Sequence, residues 1–85
     1  MNKIRKIRSL DELKKLTDGK SVECSISLGA FGGVSSKIIW YDSSDDEWEI
    51  YHMMDDSEEN FKSTEDMLEN THIELALKHG ALYTG

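Results

Sequence analysis

Eighty-five residues with 38% apolar and 32% charged side chains make one small domain, residues 1–85, with material for a single core. A net charge of −7 opposes binding to nucleic acid and anionic membrane and favours basic surfaces. The lone cysteine, Cys24, excludes an internal disulfide, and no segment reaches the roughly 20 apolar residues of a membrane span, so the cytoplasm is the expected location.

The chain opens on a basic lead-in, residues 1–8, expected to be loosely held, with Ile4 and Ile7 available to touch the body. Ser9 then marks a helix start. Its hydroxyl can accept from a free backbone N–H, and Glu12 stands at the spacing of a capping box. Leu10, Leu13 and Leu16 form one stripe, and Gly19 supplies the stop. Residues 22–28 alternate cleanly, with Val22, Cys24, Ile26 and Leu28 on one side, and predict a half-buried strand. The glycine-rich stretch 29–33 reads as a turn; it has neither phosphate-loop pattern and leads into a strand, so no helix N-terminus stands ready for an anion.

Further strands are expected at 34–41 and 47–54, joined by the polar turn at 42–46 and followed by an acidic loop at 55–60. Ser63 with Asp66, and Thr71 with Glu74, mark two short helices at about 64–69 and 72–79, closed by Gly80. Residues 81–84 can add a short extended piece. No internal repeat stands out. The expected fold is α+β: a three-stranded antiparallel meander with helices packed on one face, in the order α-β-β-β-α-α. In architecture and charge alone, without any shared motif, this resembles small acidic inhibitors carried by phages and mobile elements.

Alternation in the second and third strands leaves a surplus. With Val34, Ser36, Ile38 and Trp40 turned to the helices, and Trp48, Ile50, His52 and Met54 likewise, Ile39, Tyr41, Tyr51 and Met53 form an apolar patch on the far side. That patch is either covered by the chain ends or is a partner or dimer surface.

Catalytic and metal chemistry find little support. His52, His72 and His79 with Cys24 match no zinc spacing, and H-E-x-x-H is absent. Cys24 alternates with core positions, where a thiol is inert. The acidic loops lack the ligand spacing of a calcium loop. No catalytic residue, cofactor or metal is therefore assigned, and the chain is read as a non-enzyme.

Twelve of the seventeen acids fall within residues 42–69, against one lysine, Lys62. Solubility accounts for many such runs. The functional reading is a face that engages a basic protein surface, as an inhibitor or decoy of a nucleic-acid-handling protein would, through Asp42, Asp45, Asp46, Glu47, Asp55, Asp56, Glu58 and Glu59. The alternative is an interaction or scaffold module, with a homodimer possible, working through Ile39, Tyr41, Tyr51 and Met53. Direct nucleic-acid binding through the arm Lys3, Arg5, Lys6 and Arg8 is disfavoured because the rest of the chain opposes it.

Overall fold

A computed structural model of the chain describes residues 5–27 and 34–84. Its elements are β1 (Arg5–Lys6), α1 (Leu10–Thr17), β2 (Val22–Ser27), β3 (Val34–Asp42), β4 (Glu47–His52), β5 (Ser57–Phe61), α2 (Thr64–Asn70), α3 (Ile73–Lys78) and β6 (Leu82–Thr84). The six strands form one antiparallel sheet in the order β1-β6-β2-β3-β4-β5. The glycine-rich turn expected at 29–33 lies outside the described residues.

The α+β class holds, but the three-stranded meander expected from the sequence is overturned. The meander β2-β3-β4 is there, and it is extended on both sides. On one side the two ends of the chain close the sheet. β6 pairs with β2, and β1 pairs with β6, with Arg5 opposite Thr84. Ile7 N–H donates to Leu82 C=O at 2.9 Å and Ser27 N–H to Ala81 C=O at 2.9 Å. The lead-in is therefore anchored from Arg5 onward: Ile7 is fully buried. On the other side, the acidic residues expected as a loop pair with β4 as β5, from Ser57 opposite His52 to Phe61 opposite Trp48. An edge strand can carry exposed polar side chains throughout, and here one apolar residue, Phe61, anchors it.

α1 and α2 start where their caps place them. Ser9 Oγ accepts from Glu12 N–H at 3.1 Å, and Ser63 Oγ accepts from Asp66 N–H at 3.0 Å. Glu12 reaches back one residue further than in a capping box and accepts from Arg8 N–H at 2.7 Å. That bond, with Arg5 as a second contributor, holds its carboxyl below the ordinary range. The capping box expected of Thr71 with Glu74 is not formed: the N-cap of α3 is His72, without a side-chain cap bond, and Thr71 Oγ1 accepts from Ile73 N–H at 3.2 Å instead.

Against one face of the sheet the helices bury Leu13, Met67, Ile73 and Ala76, which meet Ile26, Ile39, Trp48, Ile50 and Leu82. Here a second correction falls. Ile39 and Tyr41, expected on the far side, belong to the core, at 0% and 5% exposure. Register forces this: Ile39 stands opposite Ile50, and Tyr41 opposite Trp48, and directly opposed residues share a face. The Tyr41 ring lies 4.3 Å from Trp48 between centroids, tilted by 36°, and its hydroxyl donates to Asp46 Oδ1 at 2.8 Å. A tyrosine can thus line the core with its polar tip satisfied. Ile38 and Trp40, expected inside, are the ones turned outward. In β2 and β4 the expected phase is the observed one, with Cys24, Ile26, Trp48 and Ile50 buried.

Candidate functional site

Rows of opposed residues cross the face of the sheet turned away from the helices, and the one through Lys6, Tyr83, Ser25 and Ser36 brings a base to its β1 edge. Glu23, Ile38, Tyr51 and Glu58 run across β2 to β5 in one row, and Trp40, Glu49 and Asn60 in the next. Asp42 and Glu47 form the closing pair of the β3–β4 hairpin on the same face. Ser21, Ile38, Trp40, Glu49, Tyr51 and Glu58 line a shallow cleft of about 110 Å³. The aromatic and aliphatic side chains are half-buried, and carboxylates flank them on both sides of the cleft.

Like charges opposite or diagonal across a sheet repel. Glu49 and Glu58 are diagonal neighbours, and Glu49 follows Glu47 by two residues along β4. The Glu49 carboxyl is held above its ordinary range, first by partial burial beside the rings, then by the charge of Glu58 and its hydrogen bond, then by Glu47. Among the described residues the ion pair is Arg5–Glu12 at 3.1 Å, while His52 is hydrogen-bonded to Glu59 at 2.7 Å, and neither contact touches this face. Lys6 is over the Tyr83 ring, 6.0 Å from its centroid, toward the β1 edge of the sheet.

The acids singled out in the sequence divide into three groups. Asp42, Glu47 and Glu58 belong to the open face. Asp45, Asp55 and Asp56 lie in the two turns, where the Tyr51 hydroxyl donates to Asp56. This bond keeps the Tyr51 hydroxyl from ionising readily. Asp46 and Glu59 are engaged elsewhere. Asp46 Oδ2 accepts from Thr64 N–H at 2.9 Å and Oδ1 from the Thr64 hydroxyl at 2.5 Å, while that hydroxyl accepts from Trp48 Nε1–H at 3.0 Å. The Thr64 bonds hold Asp46 below the ordinary carboxylate range. This carboxylate secures the first turn of α2 and is not free for a partner.

Glu59 ends a chain of bonds on the helix side of the sheet. The Lys37 ammonium donates to His52 Nδ1 at 2.8 Å, and His52 Nε2–H donates to Glu59 Oε1 at 2.7 Å. Partial burial pulls Lys37 below its ordinary value, against the opposing pull of Glu59 and Asp55. Both ring nitrogens of His52 are used, so the arrangement ties β3, β4 and β5 together. Cys24 is buried and its thiol is pushed up to about 12, chiefly by burial. Among the described residues no three His, Cys, Asp or Glu side chains converge as metal ligands do. Among the described residues no helix is long and apolar enough to cross a membrane.

Of the apolar patch read from the sequence, Tyr51 remains on the open face and Met53 stands at its end, in the β4–β5 turn, at 39% exposure. Trp40, Ile38 and Glu49 were missed as site residues. The signal was available in β4: once Trp48 and Ile50 are set inside, the residues opposite them in β3 must be Tyr41 and Ile39 if the hairpin closes at Asp42 and Glu47. Comparison with protein-family models, curated proteins and solved structures finds no match for the chain.

Proposed function

We propose that the protein is a non-enzymatic acidic binding protein that engages a basic protein surface through the open face of its sheet, as an inhibitor or decoy that fills a groove built for phosphates. One observation carries the reading. Tryptophan, tyrosine and isoleucine are set half-buried among carboxylates that no ion pair among the described residues neutralises. Aromatic anchors supply contact area, and the carboxylates attract the partner over a Debye length of about 8 Å at physiological salt. The reading puts the protein in the cytoplasm, in keeping with a single cysteine. The exposed Val34 and Met53 at one end of the face favour a second reading, an uncharged interaction surface or dimer contact.

The test is affinity capture from the source cells at low and high salt, with wild type and with a Glu47→Gln, Glu49→Gln, Glu58→Gln variant. The expected partner is a basic, nucleic-acid-handling protein. It is lost at high salt and from the variant, and it is displaced by nucleic acid. A partner held equally by both proteins at both salts would exclude the acidic mode and leave the uncharged surface.

A further inference from the structure

The cleft between Trp40 and Tyr51 has a more particular chemistry than general acidity. Two carboxyl groups, Glu49 and Glu58, stand diagonally across β4 and β5, and the two ring-bearing residues stand diagonally across β3 and β4. Trp40 directly opposes Glu49, and Tyr51 directly opposes Glu58, so each carboxylate has a ring beside it. We infer that this cleft is a guanidinium site, and that the basic partner of the proposed function enters it with an arginine. The inference rests on that functional reading and narrows it from basic to arginine-bearing.

Three properties of the two basic side chains separate them here. A guanidinium is flat, so it can lie on an indole or phenol ring while its N–H groups point along the sheet to carboxylates; an ammonium has no plane to stack. Its five donors can serve Glu49 and Glu58 together, in the forked geometry that carboxylates match. It is also more weakly hydrated than an ammonium, so entering a partly apolar cleft lined by Ile38 costs it less water. A single cation placed between the carboxyls removes their mutual repulsion, which persists in the free protein. The cleft, at about 110 Å³, suits the head of one side chain and not a folded surface element. The chain's own bases, Arg5 and Arg8, are the competing source of a guanidinium, through a second copy. Arg5 is already paired with Glu12, which favours a foreign arginine.

The experiment compares two unstructured peptides of equal length and charge, one with arginine as its only base and one with lysine, titrated into the full chain. The expected result is about tenfold tighter binding of the arginine peptide, the size of one stacked, bidentate contact. The margin disappears in Trp40→Ala and in Glu49→Gln, and survives in Asp11→Asn on α1. Circular dichroism confirms that each variant is folded, and the uncharged surface swap Glu49→Gln serves if Trp40→Ala fails to fold. Equal affinity for both peptides would overturn the guanidinium site and leave the basic-partner reading in place. Binding of neither peptide would overturn both. An arginine preference that persists in Glu49→Gln and Trp40→Ala would assign it to another surface. Sedimentation of the protein alone completes the test: a dimer dissolved by the arginine peptide would make a second copy the occupant and contradict the foreign partner.

Discussion

Asp46 and Glu49 sit three residues apart and are shifted in opposite directions, because one carboxylate is surrounded by donors and the other by acids. For Asp46 the folded value lies below the unfolded one of about 3.9. Its contribution is therefore present above that pH and is lost as pH falls through the folded value. Asp46→Asn keeps the left-handed backbone at φ 56°, which asparagine tolerates, and removes the charge. The expected loss is about 1 kcal/mol at neutral pH, since the site is partly exposed, and urea unfolding should show that loss fade in acid. For Glu49 the folded value is raised, so its contribution is complete below the unfolded value of about 4.3 and is lost as pH rises through the folded value. Glu49→Gln is expected to melt higher than wild type at neutral pH and to match it in acid. Such a trade of stability for charge is in keeping with the proposed binding face.

At the level of elements, the chain ends and the fifth strand are the informative parts. β1 holds two residues, yet Ile7 just beyond it is fully buried against the core. Ile7→Ala is expected to cost about 2–5 kcal/mol in equilibrium unfolding, as for other buried large-to-small changes, where a loosely held lead-in would cost almost nothing. Hydrogen exchange checks the same point: the Ile7 and Ser27 amides, bonded to Leu82 and Ala81, should be protected. The helices were legible because their ends are written locally: the Ser9 and Ser63 hydroxyls cap α1 and α2, and Gly80, at positive φ, follows α3. The meander was legible from the alternation of β2 and β4. β1 and β5 were not, and β6 was legible only as a short extended piece whose partners were not, for two reasons. β1 and β6 pair across nearly the whole chain, and no local pattern records that. β5 carries one buried residue in five, so its apolar period is absent.

A subtler signal for β5 did exist. Tyr41 and Tyr51 are each followed, four and five residues later, by two aspartates, and both hairpins close over four-residue loops whose last residue, Asp46 or Asp56, has a positive φ. In both, the tyrosine hydroxyl donates to that aspartate. The ten-residue echo says that a second hairpin, and hence another strand, follows the first. Alternation alone leaves the phase of β3 open, because Ile38 and Trp40 stand on one face and Ile39 and Tyr41 on the other. Pairing of Tyr41 with Trp48 and Asp46 decides it, and with it the identity of the open face. Of the candidate site, Tyr51, Glu47 and Glu58 were visible in the sequence, while Trp40 and Glu49 became visible only with the register.

For the molecule as a whole, acids lie on both sides of the sheet, Asp11, Glu12, Glu65, Asp66, Glu69 and Glu74 among them on the helices. The bases Arg5, Arg8, Lys14 and Lys15 gather at β1 and α1, where Lys14 lies over Tyr41 at 5.6 Å on the helix side. The open face gathers Glu23, Glu47, Glu49 and Glu58 around Trp40 and Tyr51. If the proposed function holds, the open face meets a basic surface and association should slow steeply as salt is added. In the proposed function the open face, and not the helices, meets the partner. Amide chemical-shift mapping during titration with a basic peptide tests it most directly. The expected result is a set of perturbed amides confined to β2 through β5 around Trp40, Glu49, Tyr51 and Glu58; perturbations centred on α1, α2 or α3, or none at saturating peptide, would contradict it.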